Sequence, residues 1–272
     1  MKIAFSKAVA SGNDFVIVEN RKNILTAEVK NFGKLARFLC ERKYSVGADG
    51  LLMLEDSAAA DFRMRIFNPD GSEVEMCGNG IRCSAIYAFL KKWCGQSAKI
   101  ETKAGILRAE ISAGSVKIKM TDPEDIILNH KIGITKTIIN LHTINTGVPH
   151  AVHFVDSLKD YPVTEIGAKI RFHKTFEPEG INADFVEFID KSSISVRTYE
   201  RGVEAETLAC GTGAVASAVI AHLVKGAESP VKVNTLSGDV LKVHFKKELK
   251  HFKEVYLEGK ACIVFEGGIN YV

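Results

Sequence analysis

The apolar residues of this chain change period several times, and each change marks an element. Phe62, Met64 and Ile66 alternate with polar neighbours across Asp61–Phe67, the two-residue period of a half-buried strand. Asp14–Glu19 and Gly50–Glu55 read as strands too. Between them Val29, Phe32, Leu35, Ala36 and Leu39 recur at helical spacing, so Ala27–Lys43 is expected to be an amphipathic helix. Asn68-Pro69-Asp70-Gly71 is turn chemistry, because proline presets φ and glycine admits positive φ. A largely apolar, alanine-rich helix from about Asn79 to Trp93 follows, expected to be central and buried. Ala98–Glu101, Ile106–Ile111 and Val116–Met120 then read as strands.

The same succession recurs further along. Val152–Val155, Phe185–Ile189 and Ile194–Tyr199 read as strands, an apolar helix begins at Gly213, and Val231–Asn234, Val240–Phe245 and Val255–Leu257 close the set. Short strings match in order: Ser11-Gly12 with Thr146-Gly147, Gly47-Ala48-Asp49 with Asn182-Ala183-Asp184, Arg65-Ile66-Phe67 with Arg197-Thr198-Tyr199, and Cys77-Gly78-Asn79-Gly80 with Cys210-Gly211-Thr212-Gly213. Glu73 and Glu206 each stand four residues before the cysteine. Partners keep nearly one register, which favours an internal duplication over coincidence. The class is α/β or α+β with two similar domains. Thr121-Asp122-Pro123 is the best linker, which places the halves at 1–121 and 122–259.

Composition narrows the function classes. Hydrophobic residues make up 46% and charged residues 25%, ordinary globular values. The net charge of +3 is scattered, so neither nucleic acid nor a membrane surface is indicated as partner. The first fourteen residues hold no signal-peptide core, and Ala214–Val224 is too short to span a bilayer. Six cysteines without an export signal read as reduced thiols of a cytoplasmic protein. Cys40, Cys83, Cys94 and Cys262 fit ordinary packing positions.

Cys77 and Cys210 differ, because each immediately precedes Gly-x-Gly at the entrance of an apolar helix. Unpaired N–H groups and the positive end of the helix dipole gather there. That setting is expected to lower a thiol pKa and to bind a carboxylate on backbone N–H groups. One such turn could be a nucleophile, an anion site or a tight connection. Two related by duplication suggest sulfurs on opposite faces of one carbon, as stereoinversion requires. His150 and His153 lie three apart in a probable strand and so face opposite ways. Cys77 and Cys83 lack close zinc spacing, and neither Gly-x-Gly is a dinucleotide fingerprint. No metal and no nucleotide cofactor is expected.

Ser11-Gly12-Asn13-Asp14-Phe15, Asn68-Pro69-Asp70-Gly71-Ser72, Cys77-Gly78-Asn79-Gly80-x-Arg82-Cys83, Tyr199-Glu200-Arg201-Gly202 and Ala209-Cys210-Gly211-Thr212-Gly213 closely resemble the diaminopimelate epimerase family, in order and over essentially the whole chain. The resemblance implies a cofactor-independent enzyme interconverting LL- and meso-diaminopimelate, a step toward lysine and, in many bacteria, peptidoglycan. It implies two domains related by a pseudo-twofold duplication, each a curved sheet around a central helix, with residues 260–272 returning to the first. By position, Cys77 and Cys210 become the acid/base thiols, and Gly78, Asn79, Gly211 and Thr212 the carboxylate pockets. Asn13, Asn68, Asn182, Glu200 and Arg201 match substrate-binding positions, and His150 and Glu200 match residues that tune the thiols. Val148 stands where many members carry Asn, and Gly50 where some carry Gln, so neither is assigned a contact. The family often dimerises, which makes a homodimer the expectation. Rival readings are another cofactor-independent racemase of the superfamily, an amino-acid-binding protein and a thiol redox protein.

Overall fold

The computed structural model describes residues 1–26, 28–134 and 137–271. The chain divides into two compact units, Met1–Ile118 with the segment from Gly259 onward, and Lys119–Glu258. In unit 1, β1 (Lys2–Ala10) turns into antiparallel β2 (Asn13–Glu19) through Ser11 and Gly12, whose φ values are 49° and 84°. Positive φ at both central residues matches a two-residue hairpin to the twist of its strands. α1 (Phe32–Cys40) leads to β3 (Gly50–Glu55), which lies parallel to β2. β4 (Phe62–Phe67) runs antiparallel to β3, and the short β5 (Glu73–Val74) folds back on β4. α2 (Gly78–Leu90) crosses to β6 (Ser97–Thr102), parallel to β4, and β7 (Gly105–Ser112) and β8 (Ser115–Lys119) complete an antiparallel meander.

Unit 2 holds β9 (Glu124–Ile134), β10 (Thr137–Asn145), β11 (Pro149–Phe154), α3 (Val163–Arg171), β12 (Asn182–Asp190) and β13 (Ser193–Glu200). It continues with β14 (Ala205–Thr207), α4 (Gly211–Lys225), β15 (Val231–Asn234), β16 (Val240–Glu248) and β17 (His251–Lys260). Afterwards β18 (Cys262–Asn270) pairs antiparallel with β1 of unit 1. Pairing therefore runs β18-β1-β2-β3-β4-β6-β7-β8 in one unit. In the other it runs β9-β10-β11-β12-β13-β15-β16-β17, with parallel contacts at the same two places. The repeated strings belong to a repeated topology.

Each sheet encloses one helix. α2 packs on β1, β2, β3, β4, β6, β7 and β18, and α4 on β10, β11, β12, β13, β15 and β16. That explains why both helices are apolar around most of their circumference. It also explains the unbroken apolar run in β3, where Leu51 and Met53 join the α1 cluster while Leu52 lies against Gly80 of α2. Among the described residues no helix is long and apolar enough to cross a membrane.

Several elements depart from the sequence expectation. α1 is shorter than Ala27–Lys43, because the Asn31 side chain caps it by accepting from the Lys34 N–H at 3.0 Å, and Glu41 is already extended. Ala27 itself lies outside the described residues, as does Val272. α2 stops at Leu90, since Lys92 takes a φ of 60° and the Trp93 N–H donates to the Ala88 carbonyl at 2.9 Å. The Trp93 ring then packs edge-on against Phe62 and Tyr87. Residues 121–123 join β8 to β9, with Asp122 held by Lys119 and Lys253.

One charge cluster ties the first hairpin to β3. Asp14 accepts from Lys7 at 2.7 Å and from Arg42 at 2.6 Å, and Arg42 also reaches Asp49 at 2.8 Å. Burial raises the Asp14 carboxyl, but hydrogen bonds and charge from Arg42 and Lys7 outweigh it and bring it from 3.8 to about 2. A depressed carboxyl stabilises the fold fully above its unfolded value and loses that contribution as pH falls through the folded one. Urea midpoints should therefore fall between about pH 4 and pH 2 in the native protein, and fall less in Asp14→Asn. Identical acid limbs would remove this cluster from the stability account.

Candidate active site

Both cysteines are helix N-caps. Cys77 precedes α2 and Cys210 precedes α4, each with extended backbone, and the first helical residue is the following glycine in both cases. Gly78, Asn79, Gly211 and Thr212 thus occupy first-turn positions, where backbone N–H groups have no intrahelical acceptor. The same ion pair sets up each turn. Arg65 grips Glu73 with two bonds of 2.8 Å, and Arg197 grips Glu206 with bonds of 2.6 and 2.8 Å. These forks pin β5 to β4 and β14 to β13 just before the cysteine, which accounts for the repeated Arg and Glu.

At the first turn, Asn79 Nδ2 donates to Asn13 Oδ1 at 2.5 Å, and Asn13 Nδ2 donates to Asp49 at 3.1 Å. Beneath them Arg82, fully buried, donates from Nη2 to Asn79 Oδ1 at 2.5 Å and to Ser11 Oγ at 2.8 Å. The guanidinium therefore fixes which way the Asn79 amide points, and Asn79 fixes Asn13. The sequence motif included Arg82 without giving it a task. Asn68 is half-buried in its turn, where its amide donates to Ser72 Oγ at 3.1 Å.

At the second turn, His150 and Asp184 are both completely buried, with Nδ1 2.7 Å from the carboxylate. Thr198 donates to the other carboxylate oxygen at 2.7 Å. His150 Nε2 lies 3.0 Å from the Thr212 hydroxyl, which lies 3.4 Å from the Cys210 sulfur. Asn182 donates to the Pro149 carbonyl at 3.0 Å and accepts from the Arg201 N–H at 2.8 Å, so it clamps the end of β13 to the start of β11. The half-buried Arg201 side chain reaches the Glu179 and Gly180 carbonyls at 3.4 and 3.5 Å. In the sequence Asp184 stands out only as part of a repeated string; its pairing with His150 spans 34 residues and leaves no local signal.

Helix-entrance position alone would lower a thiol pKa, but Cys210 goes the other way. Burial pushes it well above the usual thiol range, and the charges of Glu200 and Asp184 push in the same direction. The Thr212 hydroxyl and the Gly213 N–H oppose this without prevailing. Burial wins because the dipole acts through a few N–H groups, whereas desolvation penalises the whole thiolate. These surroundings favour the protonated form of the Cys210 thiol. Burial also raises Cys40 to about 12 and lifts Cys83, in keeping with packing roles. Among the described residues no cysteine is bridged to another.

The family model described as diaminopimelate epimerase matches residues 5–126 and 142–264. A diaminopimelate epimerase of Aquifex aeolicus is 41% identical over 276 residues, spanning 98% of this chain and 97% of its own. The chain belongs to the diaminopimelate epimerase family. A diaminopimelate epimerase of Archaeoglobus fulgidus is 40% identical, over 98% of this chain and 96% of its own. As a member of the diaminopimelate epimerase family the protein is an isomerase. Its two-domain fold of mixed sheets and few helices extends further. A Bacillus anthracis phenazine biosynthesis protein of the PhzF family superposes with a TM-score of 0.74 at 19% identity, with both chains fully covered. A hydroxyproline epimerase of Agrobacterium vitis reaches 0.67 at 14% identity, over 98% of this chain and 92% of its own. At such identities the likeness concerns the fold alone.

Proposed function

We propose that this protein interconverts LL- and meso-diaminopimelate, with Cys77 and Cys210 as the two acid/base groups and no cofactor. The observation that carries this is the end-to-end similarity to named diaminopimelate epimerases, joined to a cysteine capping the central helix of each unit. One thiolate removes the α-hydrogen, the electron pair passes into the adjacent carboxylate, and the opposite thiol delivers its proton to the other face. Backbone N–H groups at Gly78–Asn79 and Gly211–Thr212 bind that carboxylate where charge accumulates. Asn13, Asn68, Asn182, Glu200 and Arg201 hold the rest of the substrate, and His150 and Glu200 adjust the thiols. The raised Cys210 thiol suits the proton-delivering partner when the hydrogen leaves toward Cys77. The place in metabolism is cytoplasmic supply of lysine and of peptidoglycan precursor, and the working form is a homodimer.

Initial-rate NMR in D₂O with LL-diaminopimelate tests the mechanism. Early meso product should carry deuterium at the inverted carbon, while recovered substrate keeps its hydrogen. Product retaining the original hydrogen would point to a single base and sink the two-thiol reading. An absence of conversion and exchange would leave a binding protein.

A further inference from the structure

Among the described residues, the two units differ in a cross-strand pair beside the central helix. In unit 1, Leu52 sits opposite Ile66 across β3 and β4, and both face Gly80 in the first turn of α2. In unit 2, the corresponding cross-strand pair is Asp184 opposite Thr198, and both face Gly213 in the first turn of α4. This places Asp184 level with Leu52, three residues from the partner suggested by the Asn182-Ala183-Asp184 string. The same fold is thus built once with two apolar side chains here and once with a carboxylate and a hydroxyl. Folding does not demand the polar version, which carries a large desolvation cost.

We propose that Asp184 is a positioning residue that makes His150 the proton acceptor for Cys210, through the Thr212 hydroxyl. An ionised carboxylate can only accept, so His150 must present N–H from Nδ1, and Thr198 occupies the other oxygen. The neutral ring then offers a lone pair at Nε2. Thr212 donates its proton there and turns an oxygen lone pair toward the Cys210 S–H. When the thiol proton passes to Thr212 as Thr212 passes its own to Nε2, the line reverses. One S–H bond breaks, one N–H bond forms, and the hydroxyl is restored. The imidazolium now donates to Thr212, and Thr212 donates to the thiolate. Asp184 pairs the buried cation, which would otherwise be uncompensated. The charges that act on the sulfur, Glu200 on β13 and Asp184 on β12, oppose a thiolate directly. Placing the proton on His150 sets a cation between Asp184 and that thiolate. Cys210 can then alternate between acid and base even though its surroundings favour the acid.

This role deepens that of Cys210 as an acid/base thiol and rests on it. The test reads the sulfur both with and without turnover. Titrate ultraviolet thiolate absorbance without substrate, taking Cys210 as the part lost in Cys210→Ser, and record the pH profiles of kcat and KM. Removing the Asp184 charge alone would ease the thiolate, so an upward shift is specific to the relay: Asp184→Asn should move the Cys210 titration up by about one pH unit, a tenfold loss of thiolate at neutral pH, and lower kcat with little change in KM. Thr212→Val should move the titration in the same direction, Thr212→Ser should retain it, and Asp184→Asn should raise it no further on top of Thr212→Val. If Asp184→Asn does not fold, Asp184→Leu with Thr198→Ile, patterned on Leu52 and Ile66, replaces it. An unmoved titration in a folded Asp184 variant, or full additivity with Thr212→Val, overturns the relay. A shifted titration in a protein without epimerase turnover would uphold the relay and defeat the proposed reaction instead.

Discussion

Cys77→Ala and Cys210→Ala each leave a folded protein whose epimerisation rate falls at least about 10³-fold, the scale of losing a positioned acid or base. A thiol is a weak hydrogen-bonding group, so removing either sulfur costs little stability, even at Cys210, where the Gly213 N–H and the Thr212 hydroxyl face it. What is lost is one face of the proton transfer, and the remaining thiol cannot both take and return a proton with inversion. Serine should be almost as poor, because its hydroxyl is a far weaker acid than a thiol. Coupled assay of meso product beside a thermal melt separates the two effects. Substantial turnover by either alanine variant would remove that cysteine from the chemistry.

Gly213→Ala should be the most damaging conservative change near the second turn. A Cβ there would lie 2.4 Å from the Asp184 carboxylate and 3.2 Å from the Thr198 hydroxyl. Both groups are bonded elsewhere and neither can retreat without breaking a buried contact. The expected loss is about 3 kcal/mol, the upper end for overpacking, with activity reduced through a displaced His150. Gly80→Ala offers a control, since its Cβ would crowd the Leu52 methyl at 3.0 Å and meet the Ile66 methyl and the Cys77 Cβ at an ordinary 3.5 and 3.6 Å, and a flexible apolar tip can yield. Its cost should be nearer 1 kcal/mol by urea unfolding. Equal costs at the two glycines would show that the carboxylate has room to move.

The duplication was legible because its strings repeat an Arg–Glu fork, a cysteine and a glycine-rich helix entrance in one order. The central helices were legible because strands packed around them make them apolar over most of their circumference. Elements with mixed faces were harder. β9 is largely exposed, with Ile127 and Leu128 both facing solvent, so its apolar residues do not alternate as a half-buried strand's do. α3 begins after Pro162, which supplies no side-chain cap, and its buried face is only Val163, Gly167 and Ile170. At the site, individual residue types were readable and their partners were not. Nothing near Arg82 announces Ser11, and nothing near His150 announces Asp184, because these bonds join strands and helices far apart in the chain. The direction of the Cys210 shift is hidden from the sequence for a similar reason. A helix entrance is visible in sequence, whereas the burial that overrides it at Cys210 is not.

The late place of one flanking strand in the chain has a consequence for biosynthesis. Unit 2 receives its first flanking strand, β9, from the residues that immediately precede it, whereas unit 1 receives the equivalent strand, β18, only after unit 2 has been translated. On the ribosome, the half that emerges first is therefore the half that finishes last. Until β18 arrives, β1 exposes an open hydrogen-bonding edge to every other nascent chain nearby. A translation pause within unit 2 would lengthen that exposure, so the order of synthesis bears on when the chain is open to aggregation.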